Sequence, residues 1–122
     1  GDPNQTNWGV RANGTLVLFD WDRFTRAHPA IDLAITVPGF GDWPTFRRVA
    51  TRYIERRPKL RPHANLSPEH LATEMARAKV WTIIALLSEP SADDNAQRAE
   101  TVTWLSAAFP RWLRSLVAGL RS

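Results

Sequence analysis

The 122-residue chain contains no cysteine, which removes disulfides, thiolate metal sites and cysteine nucleophiles from consideration. It also lacks a long apolar run. The longest, "VWTIIALL" at positions 80–87, is broken off by "SEP" and falls well short of a membrane span. No basic-then-apolar leader opens the sequence, so a cytoplasmic location is the expectation and no membrane partner is expected. His63 and His70 have no histidine partner at ligand spacing, and no zinc site is assigned to them. Internal repeats and low-complexity segments are missing too. What is present is a globular balance, with 43% hydrophobic and 23% charged residues, enough for one core and too short for two ordinary domains. A formal net charge of +4 permits an anionic partner without demanding one.

Turn and cap chemistry divides the chain. "ANG" at Ala12–Gly14 separates two short runs, Trp8–Val10 and Thr15–Phe19, and predicts a small β-hairpin with Asp20 where its second strand ends. Pro29 opens a short helix that Pro38–Gly39 closes. Asp42 is placed to cap "WPTFRRVATRYIERR", whose Phe46, Val49, Tyr53 and Ile54 fall close to one face. Ser67 and Pro68 read as the cap and first residue of a longer helix, with Leu71, Met75, Ala78, Trp81 or Thr82, and Ala85 as its stripe and Pro90 as its end. A last stretch from about Asp93 to Leu120 carries Trp104, Leu105, Ala108, Trp112, Leu116 and Leu120 in register. Pro110 is expected to kink or divide it. Trp81, Trp104 and Trp112 keep helical register with apolar neighbours, so the expectation for them is core packing. His28, before a proline, reads as structural. The expected fold class is mainly α, a helical body with a small β-hairpin at its front.

The carboxylates and amides gather in the first third: Asp2, Asn4, Asn7, Asp20, Asp22 and Asp32. A hairpin leaves and rejoins one edge, so Asn7 near its start and Asp20 near its end converge. Two hard oxygen ligands of this kind suit Mg²⁺, which takes one or two carboxylates plus phosphates and water. A further carboxylate just outside the metal, Asp2, is placed to accept a hydroxyl proton in phosphoryl transfer.

"GDPNQTNW", "LVLFDWD" and "PAIDLA" together resemble the catalytic core of the aminoglycoside phosphotransferase and choline kinase family, which has a protein-kinase-like fold. The resemblance implies that Asp2 is the catalytic aspartate, Asn7 the asparagine assisting the metal, and Asp20 the main metal-binding aspartate. It also casts Asp32 as a buried brace of the catalytic loop. Trp21 and Asp22 stand where protein kinases have Phe-Gly. The implied protein is the C-terminal lobe of a small-molecule kinase spanning residues 1–122. Residues 1–26 would hold the catalytic loop and hairpin, and 27–122 the helical body. It would move the ATP γ-phosphoryl group, with Mg²⁺, to a hydroxyl of a small-molecule acceptor such as an aminoglycoside, a choline-like amine or a sugar. The family's histidine before Gly-Asp has no counterpart here. Nor do its Gly-rich loop, strand lysine and helix glutamate. The N-terminal nucleotide-binding lobe is therefore expected as upstream sequence or a separate chain, and the catalytic half is expected to be inactive alone.

Blander explanations compete at each position. Asp2 and Asn7 could be a polar turn, Asp20 a turn cap, and Asp32 a helix-start acid favoured by the dipole. Asp22 is a further metal or acceptor carboxylate, or a solvated partner of Arg23 or Arg26. Asn4 contacts phosphate or acceptor, or simply forms a turn. Trp43, beside Asp42 after "PGFG", suits an acceptor carrying a cationic amine. Two rival classes remain: a non-catalytic kinase-like interaction domain, and a basic helical nucleic-acid binder. The second rests on Arg47, Arg48, Arg52, Arg56, Arg57, Lys59 and Arg61, and is weakened by Glu55 and by the lack of a docking module.

Overall fold

In the computed structural model, residues 3, 5–19, 28–56, 66–88 and 96–121 are described. They form a single 3₁₀ turn, Gln5–Asn7, followed by β1 (Trp8–Val10) and β2 (Leu16–Leu18). Four helices come next: α1 (Ala30–Thr36), α2 (Trp43–Arg56), α3 (Pro68–Ser88) and α4 (Ala96–Arg121). The protein is thus mainly helical with one small antiparallel hairpin. No helix among the described residues is long and apolar enough to cross a membrane.

Local chemistry sets each boundary. In the hairpin loop Gly14 takes the left-handed conformation (φ 80°), and the Asn13 side chain accepts a hydrogen bond from the Thr15 amide at 3.1 Å. The two strands then pair Trp8 with Leu18, Gly9 with Val17 and Val10 with Leu16. His28 has the structural role expected of it, since its Nδ1 accepts the Ala30 amide at 3.3 Å where α1 starts. Asp42 caps α2 by accepting the Thr45 amide at 2.8 Å, and Ser67 caps α3 by accepting the His70 amide at 3.1 Å. Hydrogen bonding from the Thr45 side chain, and after it from the Thr45 amide, holds the Asp42 carboxyl below its usual range.

The core lies where α3 packs against α1 and α2. Ala30, Ala34 and Val37 meet Phe46 and Ala50, with Leu71, Ala72, Met75 and Ala76, and α4 adds Leu116. The α2 face is the one expected. On α3 the expected Leu71 and Met75 are buried and Ala78 packs against the core, but Ala72, Ala76, Lys79 and Ile83 are buried too, whereas Trp81 is 71% exposed and Thr82 and Ala85 are exposed. Trp81 lies two residues from both Lys79 and Ile83, about 200° around the helix, so it points away from the face they bury. Trp104 is likewise 54% exposed, and Leu105 beside it is the buried residue. Only Trp112 of the three packs as expected, half-buried against the core, with its indole N–H donating to the Gly41 carbonyl at 2.6 Å. Pro110 does not divide α4, which runs through it without a break.

The turn between α1 and α2 is the fold's tightest joint. Gly41 has φ 72°, and a Cβ there would lie 2.6 Å from Val37 Cγ1 and 3.0 Å from Phe46 Cζ. Below it, Lys79 of α3 is only 8% exposed and its ammonium donates to the Ala34 carbonyl at 3.1 Å and the Val37 carbonyl at 2.7 Å. A lysine from another helix thereby closes the C-terminus of α1.

Candidate active site

Of the residues singled out for chemistry, Asn7, Asp32 and Trp43 are described, and Asp2, Asn4, Asp20 and Asp22 lie outside the described residues. Pro3 and Phe19, which adjoin three of these positions, are described. Beyond the last ladder pair the hairpin continues one step further, with the Phe19 amide donating to the Asn7 carbonyl at 2.7 Å. Asn7 therefore sits directly across from the residue that precedes Asp20. On the other side, the indole N–H of Trp8 donates to the Pro3 carbonyl at 3.1 Å, and Pro3 is buried. Pro3 is the residue after Asp2 and before Asn4. Three anchors, Pro3, Asn7 and Phe19, are thus gathered at the open end of one hairpin.

Two features of the sequence make this possible. Trp8 is the first strand residue after Asn7, so an indole there can reach back over the 3₁₀ turn to the loop that precedes it. Gly9 leaves room for the Phe19 ring, since a Cβ at Gly9 would lie 2.7 Å from Phe19 Cε2. The hairpin reading anticipated the convergence of Asn7 with the end of β2. It missed the clamp by Trp8, which had registered only as a strand residue. The available signal was an indole donor at the start of a strand next to a proline-containing turn, where the Pro3 carbonyl is free of a helix or ladder partner.

Asp32 lies in the first turn of α1 and is exposed, not buried as a loop brace would be. The helix period gives the reason. Ala30 and Ala34 make the buried face, and Asp32 falls about 200° from Ala30. Its carboxylate sits where the α1 dipole favours negative charge. Trp43 begins α2, half-buried, and packs against the core and α4; a Cβ at Gly119 would lie 3.1 Å from Trp43 Cβ. Next to it Asp42 is exposed, and hydrogen bonds from the Thr45 side chain and then the Thr45 amide favour its charged form.

Among the described residues there is no group of three or more His, Asp or Glu side chains that could hold a metal. The donor set named for Mg²⁺ consists of the Asn7 amide oxygen and the Asp20 carboxylate. Both are hard oxygen donors, which is the chemistry Mg²⁺ requires. The arginine stripe of α2 is partly spent on neighbours: Arg47 pairs with Glu69 of α3 at 3.3 Å, and Arg48 donates to Thr45. Searches for similar proteins found no matching family model, curated protein or solved structure.

Proposed function

We propose that the protein is the catalytic half of a small-molecule kinase, moving the γ-phosphoryl group of ATP to a hydroxyl acceptor. The observation that carries the reading is the hairpin register. The Phe19–Asn7 hydrogen bond sets the main chain entering Asp20 opposite Asn7, as a shared metal site needs. The Trp8–Pro3 hydrogen bond supports it from the other side by tying the segment after Asp2 to the same end. The order "GDPNQTNW", "LVLFDWD", "PAIDLA" supplies the family likeness.

In this reading Asn7 and Asp20 hold Mg²⁺, which when bound offsets negative charge on the phosphates. Asp2 accepts the proton of the acceptor hydroxyl as its oxygen forms the new bond to phosphorus and the bond to the nucleoside diphosphate breaks. Asn4 and Asp22 are assigned in this reading to contacts with phosphate or acceptor. Trp43 and the ionised Asp42 offer an aromatic face and a negative charge to an acceptor amine. Asp32, exposed in the first turn of α1, takes no part in the chemistry of this reading. The nucleotide's remaining contacts come from a lobe carried by upstream sequence or a second chain.

The test is turnover by this chain joined to its nucleotide-binding lobe. Asp20→Ala is expected to abolish Mg²⁺-dependent transfer, and normal activity in that variant would sink the metal assignment. Asp2→Asn is expected to lower kcat by at least about a hundredfold while nucleotide affinity changes little. Equal loss of both would refute its role as base.

A further inference from the structure

Between α3 and α4 lies an open groove of about 300 Å³, lined by Ala76, Arg77, Val80, Trp81, Leu113 and Val117, with Leu120 at one end. Its lining is almost wholly apolar, and Ile84, one turn on from Val80, extends the same α3 face into solvent. Among the described residues Trp81 is the most exposed of the large apolar side chains, at 71%. An exposed tryptophan beside leucine and valine, flanked by arginine, is the composition of a protein-binding hot spot. The face from Ala76 to Ile84 is about two helical turns long, which is the footprint of a docked helix.

Charge decides which helix. Arg77 stands in the α3 wall, 70% exposed at its side chain, with one guanidinium nitrogen given to Glu74 at 2.6 Å. Arg114 flanks the α4 wall and is exposed. From Thr101 to the last residue the sequence has three arginines and no carboxylate. A second copy of this chain laid face to face would bring these arginine-flanked walls together, and like charges across an interface are costly. A helix with an apolar stripe and acidic flanks meets both the floor and the walls. We infer that the α3–α4 groove docks an acidic amphipathic helix of a partner protein, with Trp81 as its anchor. The site is built from α3 and α4 alone and does not depend on the phosphotransfer reading.

The probe is a short fluorescein-labelled helical peptide with leucines at i, i+4 and i+7 and glutamates on its other faces. Its control has the same leucines and lysines in place of the glutamates. Fluorescence anisotropy is expected to show binding of the glutamate peptide and not of the lysine peptide. Trp81→Ala and Arg114→Glu are each expected to weaken it about tenfold or more, with helical circular dichroism unchanged, since both side chains are exposed. Equal binding of both peptides, no binding of either, or indifference to Trp81→Ala would overturn the inference. So would concentration-dependent dimerisation in sedimentation that Trp81→Ala abolishes, because the groove would then belong to a second copy.

Discussion

Lys79 is a cation buried without a carboxylate partner among the described residues, and it earns its place by satisfying the Ala34 and Val37 carbonyls. Burial lowers its pKa from the ordinary 10.5. Below the folded pKa both states hold the proton and the burial penalty is felt in full. Between the folded pKa and 10.5 the unfolded chain binds more protons, so stability rises with pH across that window. Lys79→Met removes the ammonium from the Val37 carbonyl and leaves the Ala34 carbonyl only its 3.4 Å bond from the Val37 amide, and is expected to cost about 1–3 kcal/mol at neutral pH. Urea denaturation at a series of pH values should show the wild type gaining stability towards pH 10 and the variant lacking that gain. Gly41→Ala forces a side chain into left-handed backbone and into Val37 and Phe46. The two effects together are expected to cost about 2–4 kcal/mol, read as a lowered midpoint of unfolding.

At the scale of elements, the hairpin and the helical bundle are held by different means. The helices bury one another around α3, whereas the hairpin is held by its own ladder, by the Trp8 indole on Pro3 and by the Phe19 ring on Gly9. Val10 and Leu16, paired across one face, are both exposed. A two-stranded ribbon with so little cover is marginal by itself, so one hydrogen bond weighs heavily in it. Trp8→Phe keeps the ring and removes the donor. Amide hydrogen exchange at Phe19 is expected to speed up by roughly 3–10-fold, with helical circular dichroism unchanged. Loss of helix signal along with hairpin protection would show that the two parts are not separately held.

Across the whole molecule, what the sequence made legible follows the range of the interactions concerned. Asp42, Ser67 and the Asn13–Gly14 turn act within a few residues, and each does what its local pattern implied. The buried face of α3 depends on three neighbours at once, so the apolar periodicity put Trp81 inside, whereas the fold leaves it exposed and buries Lys79. For the candidate site the pattern is similar. The hairpin turn announced that Asn7 would meet the end of β2, while the Trp8 clamp rests on a side-chain donor that strand patterning does not show, and the exposure of Asp32 follows from Ala30 and Ala34 taking the buried face of α1. The central claim, that Asn7 and Asp20 form a divalent-metal site at the end of the hairpin, is tested most directly by adding Mn²⁺ with ATP to the ¹⁵N-labelled chain. Paramagnetic broadening is predicted to fall first on the Asn7 and Phe19 amides and to vanish in Asp20→Ala. Broadening that misses the hairpin, or that survives the loss of Asp20, would contradict it.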